Sequence, residues 1–188
     1  MLIGLAGLPG TGKSTLAACL EQEIGAVVLS KDAVRATLFP APVLDYSAEQ
    51  DEIAMSAIYQ AAAAILRAHP SQAVIIDGRT FLRPGQLQPL LDLAASLCEP
   101  PNMILCVCDN DVAKERLESD LAAGLHPAGN RTYNLYQSMK AAAEPITLPH
   151  LVLDTGRTPR NECVRRCLDY LSGAARRYDD DSRPPACI

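Results

Sequence analysis

The chain has 188 residues, 48% of them apolar and 21% charged, with a formal charge of −5 and an isoelectric point near 5.2. That length builds one domain with a sizeable core, and no linker rich in Pro, Gly and Ser divides it. The acidic balance argues against a broad basic surface for duplex nucleic acid, and apolar stretches that are strand-length or broken by charge exclude a membrane-spanning helix.

The first element is an apolar run, "LIGLA" at 2–6, which predicts a β-strand and leads straight into "GLPGTGKST", residues 7–15. The spacing is a glycine, four residues, then Gly12, Lys13 and Ser14. Such a loop turns its main-chain N–H groups inward towards an anion, with dihedrals that a side chain at Gly7, Gly10 or Gly12 would obstruct. Lys13 adds a point charge for the outer phosphates, Ser14 a hydroxyl for Mg²⁺, and the following "TLAACLEQE" a helix whose positive end faces the same site. The candidate nucleotide-binding residues are therefore Gly7, Leu8, Pro9, Gly10, Thr11, Gly12, Lys13, Ser14 and Thr15, and the expected cofactors are ATP or GTP with Mg²⁺.

Further apolar runs at 26–30, 73–77, 103–109 and 150–154 alternate with segments of helical length, which predicts a parallel sheet covered on both faces, with its ligand at the carboxyl ends of the strands. "SKDAVR" follows the second strand. Asp32 there is placed to take a proton from an acceptor hydroxyl, or to cap a helix starting at Ala33, and Arg35 lies one turn on, able to hold the acceptor. A long helix is expected from about Ser47 to Arg67, opened by "SAEQ", which has the form of a capping box. "VIIDGRTF" ends the third strand in Asp77, a candidate for Mg²⁺ or the acceptor, with Arg79 and Thr80 as further candidate contacts.

Beyond the fourth strand, helical stretches at about 111–121 and 131–144 flank "HPAGN", the pattern of a hinged hairpin. Arg116 and Arg131 lie on either side of that turn, where closure would bring them to the β- and γ-phosphates; salt bridges from Arg116 to Glu115, Glu118 or Asp120 are the rival reading. His126 reads as a plain loop histidine, and "LDTGRTP" after the fifth strand is placed to pack against a nucleotide base. A last helix is expected near 159–171, and "RRYDDDSRPPACI" has the charge and proline content of a flexible tail. The seven cysteines are odd in number and match no disulfide or zinc pattern, and the first residues carry no basic leader, so the chain reads as cytoplasmic, with its thiols buried.

Taken with "EP" before "LVLDT", these motifs resemble the P-loop kinases related to polynucleotide 5′-hydroxyl kinases, zeta-type toxins and many small-molecule kinases. The resemblance implies a three-layer α/β P-loop NTPase fold. It further implies a five-stranded parallel sheet in the order 2-3-1-4-5, a kinase domain over residues 1–173, and a helical lid over about 111–143. It also implies that Asp32 activates the acceptor hydroxyl, Arg35 binds the acceptor, and Lys13, Arg116 and Arg131 steady the transferring phosphate. The lid departs from many relatives in spreading its two arginines widely, and few basic residues stand near the motifs, which favours a small acceptor such as a sugar, nucleoside or antibiotic. The expected activity is ATP-dependent transfer of the γ-phosphate to that hydroxyl; a polynucleotide 5′-hydroxyl kinase and a nucleotide-dependent switch with slow ATPase activity are the alternatives.

Overall fold

A computed structural model describes residues 1–124 and 131–180, with side chains described through 173; His126 and residues 181–188 lie outside it. Five strands, β1 (Leu2–Ala6), β2 (Val27–Ser30), β3 (Val74–Asp77), β4 (Asn102–Val107) and β5 (His150–Asp154), form one parallel sheet in the order β2-β3-β1-β4-β5. This is the expected order. The helices are α1 (Lys13–Ile24), α2 (Lys31–Leu38), α3 (Ala48–Ala68), α4 (Gln88–Ser96), α5 (Asn110–Ala123), α6 (Tyr133–Ala141) and α7 (Arg160–Asp180).

Strand β1 is buried throughout because it is central and covered on both sides. Its alternation splits the core in two. Ile3 and Leu5 pack with Leu16 and Leu20 of α1 and with Cys163, Cys167 and Leu171 of α7, while Leu2 and Ala6 pack with Met55 and Ile58 of α3 and Leu90 of α4. Each such fully buried aliphatic contributes roughly 1.5–3 kcal/mol relative to exposure. Register places the ends of β2 and β3 side by side, Ser30 opposite Asp77, so what leaves these strands emerges at one edge. The fourth strand starts and stops earlier than its apolar run, leaving Cys108 and Asp109 beyond its end and Asp109 at the N-cap of α5.

Three local outcomes differ from the sequence reading. Helix α2 begins at Lys31, and the Ser30 hydroxyl, not Asp32, caps it by accepting from the Ala33 N–H, which frees the Asp32 carboxylate for other contacts. Helix α4 falls in the segment of helical length expected between the third and fourth runs, where the sequence reading set no bounds, and α7 runs on to Asp180, well past Leu171. The capping box at α3 forms by half: Ser47 accepts from the Gln50 N–H, but the Gln50 side chain reaches the Val43 carbonyl and the Asp45 N–H, tying down the 43–46 segment.

Candidate active site

The loop after β1 needs its glycines for space as well as dihedral freedom. At Gly7, φ +135°, an added Cβ would stand 2.3 Å from the Cys106 carbonyl oxygen; at Gly10, φ +77°, it would meet the Ala113 carbonyl oxygen at 2.9 Å. Only a bare backbone brings the loop this close to β4 and α5. Lys13 is buried and lies back across the loop, donating from Nζ to the carbonyls of Gly7 and Leu8 at 2.8 Å each. Burial lowers its pKa to about 8, Asp77 acting to raise it and Arg131 to lower it further. Those opposed charges place Asp77 and Arg131 within electrostatic reach of the ammonium.

Ser14 Oγ donates to Asp77 Oδ2 at 2.7 Å. Asp77 is 3% exposed, and its Oδ1 is buried without a hydrogen-bond partner. A hydroxyl beside a carboxylate with an unused oxygen is a hard oxygen donor set, which fits Mg²⁺. The structure thus brings together two residues 63 positions apart.

Arg116 does not use its acidic helix neighbours. It donates from Nη1 to Thr155 Oγ1 at 3.0 Å and to the Gly10 carbonyl at 3.3 Å, and from Nη2 to the Thr155 carbonyl at 2.8 Å, while Thr155 Oγ1 donates to the Thr11 carbonyl at 2.9 Å. Arg116, Thr155 and the phosphate loop are therefore one assembly. They line a cavity of about 520 Å³ together with Thr158 and Arg160, so the turn after β5 borders the loop.

A second cavity, of about 280 Å³, opens on the other side of Lys13 and Ser14. Asp32, Arg35, Asp77 and Arg79, the four expected acceptor residues, all line it. Arg35 is 3% exposed and is held by Asp32 Oδ1, which accepts from Nη2 at 2.8 Å, by Asp51, and by the Tyr46 ring 4.7 Å below its guanidinium. Lys31 Nζ donates to Asp51 Oδ2 at 2.8 Å, and Arg79 pairs with Glu52 on the same helix. Arg131 lines both cavities, as do Lys13 and Ser14, so the two spaces share a wall.

Sequence reasoning missed Asp51, Tyr46, Lys31 and Arg83, and with them the basic character of this second cavity. The expectation of few basic residues near the site is overturned: Lys31, Arg35, Arg79, Arg83 and Arg131 come from three separate segments and meet only in the fold. One signal was available, since Asp51 and Glu52 sit in the first turns of α3, the helix whose cap was legible.

A family profile described as AAA domain matches residues 2–146. The chain belongs to this AAA-domain family, a P-loop kinase-like family. Solved structures agree with that membership. A Chloroflexus aurantiacus protein assigned as a kinase is 25% identical, with a TM-score of 0.73 over 90% of this chain and 97% of its own. A gluconokinase from Sinorhizobium meliloti aligns with a TM-score of 0.67 at 17% identity, over 96% of this chain and 97% of its own. The Mycobacterium tuberculosis APS kinase, solved with AMPPNP and APS, aligns at 0.64 and 16% identity over 91% of this chain and 98% of its own. No curated protein matches the sequence. The fold is that of the small P-loop kinases. Among the described residues no helix is long and apolar enough to cross a membrane.

Proposed function

We propose that the protein transfers the γ-phosphate of a nucleoside triphosphate to a hydroxyl of a small acceptor. The observation that carries this reading is the shared wall: a cavity on the phosphate loop and a cavity lined by Asp32 and Arg35 meet at Lys13, Ser14 and Arg131. A phosphoryl group passing between them crosses the residues best suited to neutralise it.

In this reading the triphosphate lies along the loop amides, with Lys13 and Arg116 on its outer phosphates. Ser14 and Asp77 would hold Mg²⁺, which when bound supplies neutralisation of the β- and γ-oxygens. Arg35, fixed by Asp51 and Tyr46, orients the acceptor. The hydroxyl oxygen forms the new P–O bond as the β–γ bridge bond breaks, its proton passing to Asp32 and the electron pair leaving with the nucleoside diphosphate. Arg131, from the proposed lid of α5 and α6, completes the cage.

The test is acceptor-dependent release of diphosphate with Mg²⁺ and a panel of hydroxylated sugars, nucleosides and antibiotics. We expect Asp32→Asn to lower turnover by about 10²- to 10⁴-fold while nucleotide binding persists. An unchanged rate removes Asp32 from the chemistry. Hydrolysis indifferent to every acceptor and stimulated by a captured protein would mark a nucleotide switch, and phosphorylation confined to 5′-hydroxyl oligonucleotides a polynucleotide kinase.

A further inference from the structure

The acceptor cavity carries more cationic groups than it has acids to match. Asp32 and Asp51 are taken by Lys31 and Arg35, and Glu52 by Arg79, whose Nε is nonetheless buried without a hydrogen-bond partner. Asp77 is engaged with Ser14. Arg83, on the same cavity, has no ion-pair or hydrogen-bond partner for its guanidinium among the described residues.

The loop that presents Arg83 is built and held. Phe81 is fully buried at φ +53°, a left-handed conformation that costs a bulky residue on the order of 1–3 kcal/mol and persists only where surroundings enforce it. They do so on both sides. The Gly7 N–H donates to the Thr80 carbonyl at 2.9 Å, Thr80 Oγ1 donates to Gln86 Oε1 at 2.8 Å, and the Glu144 N–H donates to the Leu82 carbonyl at 2.8 Å. The bend thus ties the phosphate loop, the Arg83 loop and the exit of α6 together, while Leu135 and Met139 of α6 form an apolar wall of the cavity.

We propose that the acceptor is a small anionic alcohol, carrying a carboxylate or phosphate that pairs with Arg83 at the far end from the reacting hydroxyl. This rests on the acceptor reading of the cavity. A neutral polyol would leave Arg83 unmatched beside five other basic side chains; an anion satisfies it and is drawn in by the surplus charge.

The experiment is calorimetric titration of the full chain with Mg²⁺ and a non-hydrolysable ATP analogue, using two matched pairs: D-gluconate against D-glucose, and glycerol 3-phosphate against glycerol. In at least one pair the anion should bind about tenfold or more tightly than its neutral partner, a preference lost in Arg83→Ala and partly kept in Arg83→Lys. The pair that shows it separates carboxylate from phosphate. Absence of anion preference in both pairs, no binding of either anion, or a preference that survives Arg83→Ala overturns the proposal. Phosphorylated product is scored separately by mass spectrometry. Anion preference at Arg83 with no transfer to any acceptor leaves the anion site standing and sinks the phosphotransfer reading; transfer to neutral alcohols without preference does the reverse.

Discussion

Lys13 shows how a single residue couples burial to ligand binding. Its pKa of about 8 in the folded chain lies below the ordinary 10.5, because burial disfavours the ammonium more than Asp77 favours it. The unfolded chain therefore binds more protons between these two values, and stability rises with pH across that window; the cost of burying the cation is fully present below about pH 8. A triphosphate set against the ammonium restores the charged form. Nucleotide binding at or slightly above pH 8 should then take up a fraction of a proton, measured by calorimetry in two buffers of different ionisation enthalpy. Lys13→Arg, charged throughout, should abolish the uptake; equal heats in both buffers for the unaltered chain would refute the coupling. Arg35 is buried too, but it is paired with two carboxylates and lies over an aromatic face.

At the scale of elements, the phosphate loop is where local sequence and tertiary packing agree. Gly7→Ala forces a Cβ against the Cys106 carbonyl in a backbone conformation foreign to alanine, so it should cost about 3 kcal/mol or more and abolish nucleotide binding. Gly25→Ala, at φ +63° with nothing within 4 Å, meets only the left-handed penalty of about 1–2 kcal/mol. Denaturant midpoints of the two variants measure the difference, and equal losses would mean that packing around the loop is slack. The same contrast explains what was legible. Strands and loop could be read because apolar runs and glycine spacing are local signals. Helix α4 was legible only as a segment of helical length without bounds, since "QPLLDLAAS" is short and has no side-chain cap. The Ser30 cap displaced the Asp32 reading because either residue type serves as an N-cap and only the turn decides. The basic lining of the proposed acceptor cavity was invisible for a different reason: Lys31 follows β2 while Arg79 and Arg83 follow β3, and their meeting is a property of strand order.

For the whole molecule, the strand order β2-β3-β1-β4-β5 puts the loop on the central strand, with the acceptor groups following β2 and β3 on one side and Arg116 and Thr155 following β4 and β5 on the other. Both halves of the sheet thus border the two cavities proposed for nucleotide and acceptor, and ligand binding should be felt by global unfolding. With nucleotide at a hundred times its dissociation constant the native state gains about 2.7 kcal/mol, a rise in melting temperature of roughly 5–11 °C for a chain of this size. Differential scanning measures it, and a rise below about 2 °C at saturation would contradict binding confined to the native fold.

Because Lys13, Ser14 and Arg131 border both hollows, a compound that tethers an adenosine polyphosphate to an acidic polyol would span them as one rigid-body guest. It would give up its freedom of tumbling and translation once instead of twice, so its grip should exceed the product of its halves' separate merits. Such a chimera would be both an inhibitor and a ruler for the distance that the phosphoryl group must travel.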